Sequence, residues 1–125
     1  MIFDTDIFIW IERGHKKAAE LLENANERKI SIQTFMELLQ GARNKTEQKN
    51  IREFVKQFNI HVLPFTENIG HRAAIYIEEY ALSARMRSGD AIIAATAMEN
   101  DLELVTGNKK HYSVIANLKT HFFKP

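Results

Sequence analysis

The chain has 125 residues, with 17 Lys and Arg against 16 Asp and Glu, no cysteine, two prolines and 45% hydrophobic residues. A chain of this size buries about two thirds of its unfolded surface as one domain, and the absence of Cys excludes disulfide scaffolds, thiolate zinc sites and Cys nucleophiles. A net charge of +1 gives no global pull toward nucleic acid, so any such affinity must be local.

In chain order, Met1-Ile2-Phe3 reads as a buried strand and Asp4-Thr5-Asp6 as a turn, with a short helix over Ile7 to Ile11 ended by Gly14. Ala18, Leu21, Leu22 and Ala25 mark an amphipathic helix across 15–28, and Ile30-Ser31-Ile32 a second strand. Thr34 and Glu37 have capping-box spacing, so a third helix is placed there, carrying Phe35, Leu38, Leu39 and Ala42. A helix over about 46–58 precedes a third strand at Ile60 to Leu63, stopped by Pro64, and another helix over 67–83. Ala91 to Met98 is apolar almost all round, the mark of a helix buried between layers. Leu102 to Val105 reads as a fourth strand and Leu118 to Phe123 as a fifth.

The longest strictly apolar runs are too short for a membrane span, which needs about 20 residues. The early acids Asp4 and Asp6 do not resemble a basic targeting leader, so a cytoplasmic protein with no membrane partner is expected. No repeat or linker interrupts the alternation of strands and helices, and one α/β domain over 1–125 with a mainly parallel sheet of four to five strands follows.

In sheets of this class ligands sit beyond the carboxyl ends of the strands. Asp4 ends strand one, Glu37 lies in the first turn after strand two, and Asn108 follows strand four. The helix beginning near Asp90 runs almost directly into strand four, so its start lies on the same rim. Each acid has a structural explanation as well: Asp6 as a helix N-cap, Glu37 in the capping box, Asp90 at the positive end of its helix. Asp4 is harder to explain that way, because an unpaired carboxylate among apolar neighbours costs several kcal/mol. Three carboxylates converging from positions 4, 37 and 90 repel one another, and no Lys or Arg adjoins Asp4 or Glu37 in sequence, although Arg85 or Arg87 could fold over them. A divalent cation answers the repulsion, and an all-oxygen set suits Mg2+ or Mn2+. Zinc is disfavoured, since no two of the five histidines are three or four residues apart.

Met1 to Ile7 (MIFDTDI), Ser31 to Arg43 (SIQTFMELLQGAR), Ser88 to Ala97 (SGDAIIAATA) and Val105 to Tyr112 (VTGNKKHY) resemble, in order, the four motif regions of PIN domains. The likeness is closest to VapC-type toxin ribonucleases, and it spans essentially the whole chain. It implies a PIN-like three-layer α/β/α sandwich and an Mg2+-dependent endoribonuclease, Mn2+ substituting, with Asp4, Glu37 and Asp90 as metal ligands and catalytic acids. Thr5, Asp6, Thr106 and Asn108 would support them. Asn108 stands where many PIN domains place a further acid; it brings no charge, so the resemblance does not imply a permanently filled second metal site. The family's partners would be an RNA substrate, a small antitoxin whose tail occupies the active-site groove, and a second copy in a homodimer.

Basic residues flank the motifs at Arg13, Lys16, Arg43, Arg85, Arg87, Lys109, Lys110 and His111, where they could hold RNA phosphates. Trp10, Phe35 and Tyr112 are available for base stacking or for the core. Two rival readings are kept. Phe3-Asp4-Thr5-Asp6-Ile7 with Gly89-Asp90 also has the form of a haloacid-dehalogenase-like phosphatase, although Ala94 stands where that family's later motif carries a second acid. A catalytically silent PIN-like binding module is the other.

Overall fold

The computed structural model describes residues 1–125. Strands β1 (Ile2–Phe3), β2 (Arg28–Ser31), β3 (Ile60–Leu63), β4 (Leu104–Thr106) and β5 (Thr120–Phe122) alternate with seven helices. These are α1 (Thr5–Glu12), α2 (Lys16–Asn24), α3 (Ile32–Gly41), α4 (Lys45–Gln57), α5 (Glu67–Tyr80), α6 (Ser88–Glu99) and α7 (Lys109–Tyr112). The strands form one sheet in the order β3-β2-β1-β4-β5, every pair parallel.

Period-two alternation sends neighbouring residues to opposite faces. Ile2 and Leu104 join one core with α5, α6 and α7, through residues such as Ile69, Ala73, Ile93 and Tyr112. Phe3 and Val105 join a second core with α1 and α2, through Ile7, Phe8, Ala18 and Leu22. The result is the three-layer α/β/α sandwich expected, with five strands and the sheet wholly parallel. α6 buries Ala91 and all of Ile93 to Ala97, and its alanines let it lie close between the sheet and α5.

Several local details differ from the sequence reading: α2 ends at Asn24, short of 28, and Arg28 and Lys29 already belong to β2. Ile32 is not in the second strand; the chain passes from β2 into α3 without a loop because Ser31 is itself the N-cap, its Oγ accepting from Thr34 N at 2.9 Å. The Thr34–Glu37 capping box therefore does not form, and Glu37 lies in the second turn, freed for another use. Likewise Asp4, not Asp6, caps α1, accepting from Thr5 N at 2.7 Å. The short helix α7 was not anticipated. Gly14 does end α1: at φ +83° it lets Gly14 N bond Ile11 O and His15 N bond Trp10 O, a Schellman closure. No helix is long and apolar enough to cross a membrane.

Candidate active site

β1 is central, and the strand order reverses between β1 and β4, which opens a crevice at their carboxyl ends. Asp4 stands there. Its backbone N–H still belongs to the ladder, donating to Val105 O at 2.9 Å, so its carboxylate is fixed relative to the end of β4. Thr106 Oγ1 donates to Asp4 Oδ2 at 2.7 Å, and Thr5 N to Oδ1. The residue is only 5% exposed. Burial first, then the neighbouring Asp6 and more weakly Asp90, push its pKa up to about 7, against hydrogen bonds from Thr106 and Thr5 that favour the charged form.

Glu37 reaches the same end of the sheet from α3. The Thr5 hydroxyl donates to Glu37 Oε1 at 2.5 Å, and Gln33 Nε2, one turn back on α3, to Oε2 at 3.3 Å. Thr34 Oγ1, 3.0 Å from Thr5 Oγ1, anchors that hydroxyl in turn. Across from it, Gly89 leaves room: a Cβ there would lie 2.9 Å from Glu37 Oε2 and 3.3 Å from Gln33 Nε2.

Asp90 lies in the first turn of α6 without capping it. Its Oδ2 is 2.8 Å from His111 Nδ1 and its Oδ1 is 3.4 Å from the Tyr112 hydroxyl. The same His111 nitrogen is 2.9 Å from Asn108 Nδ2. One ring nitrogen cannot donate to a carboxylate and accept from an amide, and the carboxylate's charge favours donation to Asp90. Asn108 caps α7, its Oδ1 accepting from His111 N at 3.3 Å.

Asp6 comes in from α1. Gly107 N donates to its Oδ2 at 2.8 Å, and burial is again the main cause of an upward shift in its pKa. Tyr112, 1% exposed, feels all four acids: burial pushes its hydroxyl well above the usual tyrosine range, reinforced by Asp4, Asp90, Asp6 and Glu37. That mutual influence is the physical signature of a cluster.

The structure thus brings together Asp4, Asp6, Glu37, Asp90, Thr5, Thr106, Asn108 and His111. Other sequence candidates fall elsewhere. Arg43 is engaged by Glu47, with Nη2 to Oε2 at 2.8 Å. Arg13 stacks on Trp10, 5.5 Å from the ring centroid. Lys16, Arg85, Arg87, Lys109 and Lys110 are exposed, and none forms an ion pair; Arg85 and Arg87 precede α6, whose first turn carries Asp90, and Lys109 and Lys110 open α7 directly after its N-cap Asn108. Tyr112 is too deeply buried to stack on a base. Sequence reasoning misses Gln33 and Gly107, and it places Thr34 in a capping box and Gly89 in the rival phosphatase motif, not beside Glu37. The two glycines carry a signal after the fact, since each precedes a motif residue, Asp90 or Asn108.

For a metal the donor set fits: carboxylate oxygens are hard ligands suited to Mg2+ or Mn2+, and one buried oxygen, Asp6 Oδ1, has no hydrogen-bond partner. The shell is not closed as it stands, because no three His, Asp or Glu side chains meet at one point. Asp90 in particular leans on His111.

Beside the acids, a groove of about 440 Å³ runs between α1, α3 and α4. Phe8, Ile9, Leu38, Ile51 and Phe54 line it, Glu12 and Glu47 are among its polar members, and Thr5 and Glu37 connect it to the acidic cluster.

The family model for the PIN domain matches residues 1–117. Ribonuclease VapC10 of Mycobacterium tuberculosis is 33% identical over 129 aligned residues, spanning all of this chain and 95% of that protein. Ribonuclease VapC1 of Rickettsia felis is 32% identical, covering 95% of this chain and 92% of its own. Among solved structures, a toxin–antitoxin complex from Klebsiella pneumoniae superposes with a TM-score of 0.79 at 28% identity, covering 98% of both chains. VapBC-1 from nontypeable Haemophilus influenzae gives 0.80 at 24% identity over 98% of both, a likeness of fold.

Proposed function

The chain belongs to the PIN-domain family, and from that premise we propose that it is a divalent-cation-dependent endoribonuclease acting as the toxin of a toxin–antitoxin pair. The observation that supports this most is the gathering of Asp4, Glu37 and Asp90 at the β1/β4 crevice, with Asp4 raised to about 7 by burial and by neighbouring carboxylates. Such a site stores repulsion that a cation relieves.

Asp4 and Asp90 are the residues to hold Mg2+, with Mn2+ able to replace it. When bound, the ion supplies Lewis acidity to the scissile phosphate and lowers the pKa of water. Thr106 orients Asp4 through the 2.7 Å bond to Oδ2, leaving that carboxylate little rotational freedom. Asp90 is steered by His111 and Tyr112. Glu37, held through Oε1 by Thr5 and through Oε2 by Gln33, positions the attacking water and takes its proton. Lys109, Lys110, Arg85 and Arg87 hold RNA phosphates on either side.

The groove between α1, α3 and α4 suits an antitoxin segment. Its apolar lining takes the nonpolar face of a helix, and Glu12 and Glu37 favour basic side chains on the occupant. A partner lying there would cover the approach to Glu37. Phe65, Ile75 and Leu82, the last 98% exposed, supply apolar surface at α5 and its ends for a homodimer.

The phosphatase reading loses support, because Asp4 is hydrogen-bonded through both oxygens at a buried strand end and Ala94 is buried in α6. The test is induced expression in a bacterium lacking the antitoxin. Growth arrest with the wild-type chain and none with Asp4→Ala, at equal soluble levels, is the expected result; equal arrest by both would overturn the proposed site.

A further inference from the structure

Asp6 sits in the first turn of α1, where its charge suits the positive end of the helix, yet one of its two oxygens is left without a partner. It does not cap α1, since Asp4 does. One oxygen, Oδ2, is tethered to Gly107 N at 2.8 Å across 101 residues of sequence. The other, Oδ1, is buried with no hydrogen-bond partner. Leaving a buried charged acceptor unsatisfied costs about 1–3 kcal/mol or more, and Asp4 and Asp90 add repulsion. No Lys or Arg relieves it, and the only ion pair at the site, His111 with Asp90, is directed at a different carboxylate.

The tether is close-fitting. A Cβ on Gly107 would stand 2.9 Å from Asp6 Oδ2, so backbone and carboxylate occupy space a side chain would need. A tether alone, however, does not require a charge: an asparagine at position 6 would offer Gly107 an equally good carbonyl oxygen. The charge and the unpartnered oxygen serve no bond within the protein, and they are what a cation would use.

Resting on the metal-dependent reading above, we infer that Asp6 is the fourth carboxylate of the cation site, with Oδ1 as its ligand atom. Asn108 is occupied in capping α7 and brings no charge. The charge count of the site is then four carboxylates, reached from the α1 side of the crevice and not from the segment after β4.

The experiment is a Mn2+ titration of the full-length chain, by calorimetry and by the loss of free-Mn2+ paramagnetic resonance, together with melting temperatures in EDTA and in Mn2+. Wild type is expected to bind and Asp4→Asn to lose binding. Asp6→Asn is expected to bind about tenfold or more weakly, since ligand charge sets affinity in oxygen sites, with a smaller Mn2+-induced rise in melting temperature. Its melting temperature in EDTA should equal or exceed that of the wild type, showing that the fold and the Gly107 tether survive. Gly107→Ala, which crowds Asp6 without changing any charge, should also weaken Mn2+ binding, and it decides the matter if Asp6→Asn is too unstable to titrate. Binding within about twofold of wild type in the decisive variant would leave Asp6 a tether and overturn the inference while Asp4 still supports the metal site. No Mn2+ binding by the wild type would overturn both.

Discussion

Replacing Asp4 by Asn is expected to end catalysis and, in EDTA at pH 8, to stabilise the fold. Asp4 is almost wholly buried, and its pKa is raised from 3.8 to about 7. The folded chain therefore holds this proton more tightly than the unfolded chain. Its contribution to stability is full below pH 4, declines as the pH rises toward 7 and is lost above. At about 1.4 kcal/mol per pH unit, the span from 3.8 to about 7 amounts to roughly 4 kcal/mol. Asn has no charge to desolvate, but its amide nitrogen cannot accept the Thr106 hydroxyl, a loss of about 1 kcal/mol. The net gain of about 3 kcal/mol corresponds, for a domain of this size, to a melting temperature higher by on the order of 10 °C. Thermal melts of both proteins by circular dichroism, in EDTA at pH 5 and pH 8, measure it. The gap should be wide at pH 8 and largely closed at pH 5. A mutant no more stable than wild type at pH 8, or a gap independent of pH, would show that burial and like charge do not strain this carboxylate.

Gly89→Ala should leave the melting temperature within a few degrees, because Ala is favoured over Gly in a helix by about 1 kcal/mol while the new Cβ presses on Glu37. RNA cleavage should nevertheless fall roughly 10- to 100-fold, as expected for a displaced catalytic group; unchanged cleavage would show that Glu37 is not where the chemistry needs it. Gly14→Ala, forced into φ +83° with open space around it, should lower stability by about 1 kcal/mol and leave cleavage per folded molecule intact, as a denaturant titration with a parallel activity assay would show. Lys109→Ala combined with Lys110→Ala should weaken RNA binding and make log Kd less dependent on log salt by about 0.7 for each phosphate contact removed; a filter-binding series over salt concentration reads this directly.

Much of this was legible in the sequence, for physical reasons that differ from element to element. The alternation of short apolar runs with 3.6-residue periodicity shows four to five strands and the six longer helices, though not α7, and the all-round apolar stretch at 91–98 announces the buried α6. Asp4, Glu37 and Asp90 could be placed on one rim because topology alone carries strand ends and helix starts to the same edge. What sequence could not resolve is competition between neighbours for one role. Ser31 and Thr34 both suit an N-cap, and only the direct passage from β2 into α3 decides for Ser31. Asp4 and Asp6 both suit the start of α1, and the ladder bond from Asp4 N to Val105 O decides for Asp4. The nonlocal contacts were out of reach altogether: Gly107 to Asp6, Gly89 against Glu37, and Tyr112 turned inward where a base-stacking ring had been an option.

Metal-dependent cleavage by these carboxylates is read out by incubating the purified chain, freed of any partner, with single-stranded RNA in Mg2+, in Mn2+ and in EDTA, beside Asp90→Asn. Cleavage into discrete fragments with either ion, none in EDTA and none by Asp90→Asn is the expected outcome. Cleavage that persists in EDTA, or an Asp90→Asn protein as active as wild type, would contradict a metal-dependent nuclease built on these carboxylates.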